Sequence, residues 1–210
     1  MKFFPTLTEV KEIAKTGKYD ILPVSCEILS DFITPIEAMR ILQNVSTHCY
    51  LLESAQANEA WGRYTFLGYD PKLEINCIDG HMKLGKLSVE TENPSEYIRQ
   101  ILSEYKSPKF DYLPSFTGGL VGYFSYDYLG YKEKSIRGKA RDTEDFKDVD
   151  LMLFDKVIAF DNLCQKIILI ANMSLDAPET GYNKAIVELK QLRELLMHGE
   201  KKQNMGGKLL

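Results

Sequence analysis

Apolar residues recur at helical spacing in four segments of the chain, each preceded by residues that commonly begin helices. Residues 6–9 (Thr-Leu-Thr-Glu) and 34–37 (Thr-Pro-Ile-Glu) have capping-box patterns, and residues 93–96 (Asn-Pro-Ser-Glu) repeat the arrangement. These patterns predict a short helix that ends near Gly17, two further helices, and a last helix from about Pro178 to His198 that stops at Gly199. The buried stripes of the last three helices are expected to comprise Ile36, Met39, Ile41 and Leu42; Tyr97, Ile98, Ile101, Leu102 and Tyr105; and Ile186, Leu189, Leu192, Leu195 and Leu196.

Segments rich in β-branched and aromatic residues lie between these helices and predict strands. The predicted strands cover residues 19–28, 48–54, 63–69, 72–78, 82–84 and 116–126, and residues 151–160 form a single strand that pairs with residues 166–171. The polar residues 131–150 are interpreted as a long loop. Because the helices are separated by antiparallel hairpins rather than alternating strictly with strands, the predicted fold class is α+β.

The composition indicates a globular protein and argues against several kinds of partner. The 210 residues are 44% hydrophobic and predict one large domain over residues 1–200, with residues 201–210 as a polar tail or linker. A formal net charge of −4 argues against a nucleic-acid binder, since phosphate neutralisation requires a basic surface. No apolar run approaches the roughly 20 residues of a membrane span, and a cytoplasmic protein is expected. The 4 cysteines and 3 histidines are dispersed, so no metal site is predicted.

The end of one predicted strand has polar groups that suit a small amphipathic ligand. Glu53 and Ser54 follow an apolar strand, and a second, aromatic strand (residues 63–69) comes soon after. The carboxylate can face an ammonium group, the hydroxyl can meet a carboxylate, and the aromatic strand can receive an apolar side chain. The alternative interpretation is that Glu53 and Ser54 only mark the point where the strand leaves the core.

Two other patterns are given structural interpretations. The glycine-rich residues 117–123 lack the Lys-Ser/Thr ending of a phosphate-binding loop, so these glycines indicate a bulge or a close backbone approach. Asp155 and Asp161 flank an apolar strand and are interpreted as turn or strand-end residues rather than as a general acid–base pair. No catalytic residue is predicted in this chain.

Three segments together resemble the N-terminal region of anthranilate synthase component I. They are residues 51–68, 116–123 (Phe-Thr-Gly-Gly-Leu-Val-Gly-Tyr) and 153–172, and their order and spacing fit from about Pro23 to Asn172. The resemblance implies an α/β/β/α sandwich of two orthogonally packed antiparallel sheets, of which this chain would supply about half, as antiparallel sheets with flanking helices. Such a half is expected to expose apolar surface or sheet edges, and therefore to self-associate or to bind a separate catalytic polypeptide.

The resemblance also implies a function. The family converts chorismate to anthranilate with magnesium and with ammonia from a glutamine amidotransferase subunit (component II), and L-tryptophan inhibits it away from the active site. The residues implied for tryptophan binding are Glu53 and Ser54, with Arg63 as a further contact. The catalytic residues and the magnesium site of the family lie in a long C-terminal region. This chain is therefore expected to hold no cofactor, to be inactive alone, and to act as a regulatory part.

Two alternatives are left open. Component I of aminodeoxychorismate synthase, from the folate pathway, shares the fold and has a similar N-terminal region. A free-standing amino-acid-binding module is the second alternative. The combination of Glu53 and Ser54 with residues 61–64 (Trp-Gly-Arg-Tyr) favours the anthranilate branch.

Overall fold

The computed structural model describes residues 1–54, 62–133, 135 and 146–202. Its helices are α1 (Leu7–Lys15), α2 (Pro35–Val45), α3 (Pro94–Ser103) and α4 (Pro178–His198), with a 3-10 helix over Tyr126–Tyr131. Its strands are β1 (Phe3–Phe4), β2 (Ile21–Leu29), β3 (Cys49–Leu52), β4 (Tyr64–Tyr69), β5 (Leu73–Ile78), β6 (His81–Leu84), β7 (Leu87–Glu90), β8 (Gly119–Phe124), β9 (Val149–Phe154), β10 (Lys156–Asp161) and β11 (Lys166–Ser174). All four predicted helices are present, and α4 has the predicted bounds.

Two of the three predicted capping patterns are confirmed. Thr6 before α1 and Thr34 before α2 each accept a hydrogen bond from the backbone N–H of the glutamate three residues later, whose carboxylate accepts one from the threonine N–H. Asn93 does not cap α3 in this way. Its side-chain oxygen accepts a hydrogen bond from Ser95 Oγ at 2.7 Å, and its amide donates to the Glu96 carboxylate at 2.7 Å. The third prediction was wrong because these side-chain bonds replace the backbone cap.

The buried faces of the helices follow most of the predicted stripes. Leu189, Leu192 and Leu196 of α4 are buried. Ile36 of α2 is 54% exposed and Leu102 of α3 is 44% exposed, so both predictions of burial were wrong. Ile36 lies two positions before the buried Ala38, which is roughly 200° away around the helix axis, and Leu102 lies in the last turn of its helix. None of the described helices has the length and apolar content needed to cross a membrane.

The first sheet has six antiparallel strands in the order β1-β2-β11-β10-β4-β3. Its long central pair joins distant parts of the chain, since Leu29 at the end of β2 lies opposite Lys166 at the start of β11. One face forms an apolar core with α1, α2 and α4. The other face has a second apolar core, in which Leu113 and Phe116 pack on residues of β4, β10 and β11.

The second sheet has five antiparallel strands in the order β7-β6-β5-β9-β8. Ile98 of α3 is buried in its core with residues of β5, β6 and β9. Each sheet lies in its own compact unit. The units comprise Met1–Asp70, Ser107–Gly118 and Asp155–Leu210 for the first, and Pro71–Lys106 and Gly119–Phe154 for the second.

The predicted single strand over residues 151–160 is divided between the two sheets. β9 ends at Phe154 in the five-stranded sheet, and β10 begins at Lys156 in the six-stranded sheet. The carbonyl oxygen of Asp155, between them, accepts hydrogen bonds from the backbone N–H of Asn172 at 2.8 Å and from its side-chain amide at 3.0 Å. The prediction of one strand was wrong because the polar pair Asp155-Lys156 marks a change of sheet.

Gly122 of β8 confirms the close backbone approach predicted for the glycine-rich segment. Its φ is +153°, in a region that side chains disfavour. A Cβ atom built at this position would lie 1.9 Å from the carbonyl oxygen of Asp150 on β9. Glycine is therefore required here by the neighbouring strand rather than by a phosphate group.

Candidate functional site

The predicted ligand residues Glu53 and Ser54 lie at one end of the six-stranded sheet. They directly follow Leu52, the last residue of β3, which pairs with Phe66 of β4. Both residues are exposed. An exposed carboxylate and hydroxyl at a strand end are accessible to a ligand from solvent, as the sequence interpretation requires.

Arg63, the third predicted ligand residue, is bound to a buried carboxylate at the same end of the sheet. It precedes β4, and its guanidinium donates two hydrogen bonds to Asp161, the last residue of β10. The Nε–Oδ1 distance is 3.1 Å and the Nη2–Oδ2 distance is 2.7 Å. The Asp161 side chain has no exposed surface, whereas 35% of the Arg63 side chain is exposed. The pair is thus a bidentate, charge-assisted contact with one buried and one accessible partner.

The turn that follows β10 supplies further donors to Asp161. Its Oδ1 atom accepts hydrogen bonds from the backbone N–H groups of Leu163, at 3.2 Å, and Cys164, at 3.0 Å. Burial raises the pKa of Asp161, but the hydrogen bonds from Arg63 and from Cys164 together lower it by more than burial raises it. The pKa of Asp161 therefore lies below its ordinary value. The hydrogen bond to Asp161 likewise raises the pKa of Arg63. This geometry confirms that Asp161 is a strand-end residue and adds an ion pair that the sequence interpretation missed.

Aromatic side chains line the sheet face next to this end. Tyr64 and Phe66 are two residues apart on β4 and so lie on the same face of the sheet, with ring centroids 5.8 Å apart. Phe116, from the segment between α3 and β8, packs edge-on against Phe66 at 5.6 Å and against Tyr50 at 6.4 Å. These four rings form an aromatic cluster in which Tyr50 is buried and the other three rings are partly exposed. Trp61, which belongs to the same predicted segment, lies outside the described residues.

A polar cleft of about 520 Å³ lies beside the turn that binds Asp161. It is lined by Leu29, Ser30, Asp31, Asn162, Cys164 and Gln165. Most of these side chains are polar, so the cleft suits a polar group better than an indole ring. The partly exposed rings of Tyr64, Phe66 and Phe116 are the more suitable place for an apolar side chain.

The part of the chain that the structure describes contains no group of three His, Cys, Asp or Glu side chains arranged to hold a metal ion. Cys164 is exposed and its Sγ atom lies 3.6 Å from Nη2 of Arg63. This end of the sheet presents a carboxylate, a hydroxyl, a fixed guanidinium and aromatic rings, which are groups that can recognise a small ligand.

Comparison with known proteins identifies what the chain is related to. It is 34% identical over 200 residues to anthranilate synthase component 1 of Acetivibrio thermocellus, an alignment covering 92% of this chain and 40% of the relative. It is 36% identical over 196 residues to anthranilate synthase component 1 of Pseudomonas aeruginosa, covering 90% and 39% respectively. The chain is a homologue of anthranilate synthase component 1. No protein-family model matches it.

A solved structure supports the same relationship to anthranilate synthase component I. The crystal structure of anthranilate synthase component I from Streptococcus pneumoniae matches with a TM-score of 0.51 and 25% identity, over 79% of this chain and 36% of that chain. The match confirms the predicted α+β fold with antiparallel sheets and flanking helices. The chain spans about two fifths of the length of the curated relatives it matches.

The names of the anthranilate synthase relatives do not favour the aminodeoxychorismate alternative. They also do not test the individual ligand residues. Glu53, Ser54 and Arg63 therefore stay predictions, as do the single-domain boundary at residue 200 and the cytoplasmic location.

Proposed function

We propose that this chain forms the regulatory, tryptophan-binding part of an anthranilate synthase component I, in tryptophan biosynthesis from chorismate. The observation that carries the proposal is similarity to anthranilate synthase component 1 over about nine-tenths of the chain, including residues 51–68. The exposed polar end of β3 beside an aromatic surface supports it. Regulation at this place requires only binding, for which the described side chains are suitable.

Each part of tryptophan has a complementary group at this end of the sheet. The ammonium group pairs with the Glu53 carboxylate, and the carboxylate accepts hydrogen bonds from Ser54 and Arg63. Each such bond to a charged group contributes about 1.5–3 kcal/mol. The indole packs against the rings of Tyr64 and Phe66, which adds an apolar and edge-to-face contribution of about 0.5–1.5 kcal/mol beyond simple burial.

The remaining activities are assigned to the part of the family protein that this chain does not match. We place chorismate binding, magnesium and catalysis in that part, and expect component II, the glutamine amidotransferase, to supply ammonia to it. The matching catalytic part is also the expected partner of any apolar surface that this chain exposes, with self-association as the outcome in its absence.

Calorimetric titration with L-tryptophan tests the binding proposal. The chain should bind tryptophan weakly or not at all by itself, and binding should increase when the catalytic part is added. Substituting Glu53→Gln or Ser54→Ala should weaken tryptophan binding by roughly tenfold or more, which corresponds to about 1.4 kcal/mol. Ser88→Ala, on β7 of the other sheet, is the matched control and should leave binding unchanged.

Two outcomes would count against parts of the proposal. Unchanged tryptophan affinity in both Glu53→Gln and Ser54→Ala would exclude the end of β3 as the binding site. Tight binding by the chain alone, unaffected by the catalytic part, would show that the pocket is self-contained and would favour the free-standing module.

A further inference from the structure

The two edges of the Arg63 guanidinium are used differently. Asp161 occupies the side edge, formed by Nε and Nη2. Nη1 donates to none of the residues that the structure describes, and a third of the side chain is exposed. Nη2 also donates to Cys164 Sγ at 3.6 Å, so the two N–H groups of Nη1 are the ones available to a second acceptor.

We infer that Asp161 is a positioning residue, which holds Arg63 by Nε and Nη2 so that Nη1 donates to the carboxylate of an amino-acid ligand. The inference rests on the proposed tryptophan site at Glu53 and Ser54, and it names a residue that acts through Arg63 without touching the ligand. Arg63 alone would be a flexible side chain at a strand end. Bound to Asp161, it is a fixed receptor.

The turn after β10 fixes both the main chain and the side chain of Arg63. The backbone N–H of Asn162 donates to the carbonyl oxygen of Arg63 at 2.9 Å, and its side-chain amide donates to Thr65 Oγ1 at 3.3 Å. The backbone N–H groups of the same turn hold Asp161, which is fully buried. A long side chain that is already ordered loses little rotamer freedom when a ligand binds, so this arrangement favours affinity through preorganisation.

The charge of Asp161 also affects which ligands are accepted. Asp161 and Arg63 together carry no net charge, so the negative charge of Glu53 is the uncompensated one among these three groups. A ligand with an ammonium group and a carboxylate satisfies both Glu53 and Arg63. An indole acid without the ammonium group is repelled by Glu53, and an indole amine without the carboxylate leaves Arg63 unused. The site is therefore selective for a zwitterion.

The substitution Asp161→Asn separates positioning from folding. Asparagine keeps an oxygen that accepts from the turn N–H groups, but it replaces the charged acceptor of Arg63 Nη2. Asp70→Asn is the matched control, since Asp70 follows the other end of β4 and pairs with Lys156 at 2.8 Å. The three proteins are labelled with 15N-arginine, combined with the unlabelled catalytic part, and titrated with L-tryptophan, tryptamine and sodium acetate. The side-chain signals of Arg63 are followed by NMR.

The expected result is a loss of selectivity rather than a general loss of binding. The wild-type chain and Asp70→Asn should bind L-tryptophan roughly tenfold more tightly than tryptamine, the value of one charge-assisted contact. Asp161→Asn should bring the two affinities within about twofold of each other while leaving that of tryptamine unchanged. An equal loss for both ligands, or an unchanged ratio, would overturn the positioning role.

Acetate distinguishes this inference from the proposed function. If acetate shifts the Arg63 signals of the wild type and not of Asp161→Asn, while neither indole ligand binds, the receptor role stands and the tryptophan function fails. If tryptophan binds but neither tryptophan nor acetate shifts the NMR signals of Arg63, the function stands and the inference is overturned. If no ligand affects the protein in the presence of the catalytic part, both are overturned.

Discussion

Substitution of Gly68 by alanine should destabilise the six-stranded sheet. Gly68 of β4 pairs with Tyr50 of β3, and a Cβ atom at Gly68 would lie 2.2 Å from Cε1 and 2.7 Å from Cζ of the Tyr50 ring. Carbon atoms pack favourably at about 3.5–4.0 Å, so the ring would have to move by more than about 1 Å. Tyr50 is buried and packs against Phe116, which leaves it little room to move.

The expected size of the effect follows from two opposing contributions. Replacing glycine by alanine in a strand without steric conflict stabilises a protein by about 0.4–1 kcal/mol, because the unfolded chain becomes less flexible. Forcing an extra methyl group into a packed core costs about 1–3 kcal/mol. The steric cost is the larger, so Gly68→Ala should lower the free energy of unfolding, and the melting temperature should fall by about 2–4 °C per kcal/mol.

A double-mutant cycle gives the decisive measurement. Urea unfolding followed by circular dichroism would be recorded for the wild type, Gly68→Ala, Tyr50→Leu and the double variant. Because leucine lacks Cε1 and Cζ, Gly68→Ala should be neutral or slightly stabilising in the Tyr50→Leu background. An equal penalty in both backgrounds, or none in the wild type, would refute the reasoning from the Tyr50 ring.

Three further predictions concern stability. Leu189→Ala in the buried face of α4 should cost about 2–5 kcal/mol of unfolding free energy, whereas Val187→Ala, at a position 52% exposed, should stay within about 0.5 kcal/mol by urea unfolding. Thr34→Ala removes a capping box and should cost about 1 kcal/mol, and Thr34→Ser should restore most of it. Asp161 has a lowered pKa, so its contribution is present above the unfolded pKa of about 3.9 and is lost as the pH falls through the folded value. The stability difference between wild type and Asp161→Asn should therefore shrink in acid, and a difference that grows there would contradict it.

Local patterns were sufficient for the helices and most strands because their signals lie within a few residues. Capping boxes mark where α1 and α2 begin, Pro178 marks the start of α4, and the apolar period indicates which face is buried. β1 has two residues and is too short to show an alternation. β7, with Leu-Ser-Val-Glu, does alternate and was missed because it is mostly exposed. The change of sheet at Asp155 was missed because both strands are apolar.

The site was only partly accessible from sequence. Resemblance drew attention to Glu53, Ser54 and Arg63, which the fold brings to one end of a sheet. The partner of Arg63 could not be found in this way, because Asp161 is 98 residues away and becomes its neighbour only when β4 pairs with β10. An aspartate at the start of a turn was a local signal for the hydrogen bonds to the following backbone, but not for the ion pair.

The pairing of β2 with β11 sets the order in which the chain can fold during synthesis. β2 is translated well before its partner β11, since Glu27 of β2 precedes Lys166 of β11 by 139 residues. All strands of the five-stranded sheet are translated before β10 and β11. The nascent chain can therefore complete the five-stranded sheet first. Until β11 is made, the edge of the apolar β2 that will pair with β11 stays exposed, where chaperones can bind it or other chains can aggregate with it. The end of the sheet with Glu53 and Arg63 is assembled only after β10 has been translated and has paired with β4.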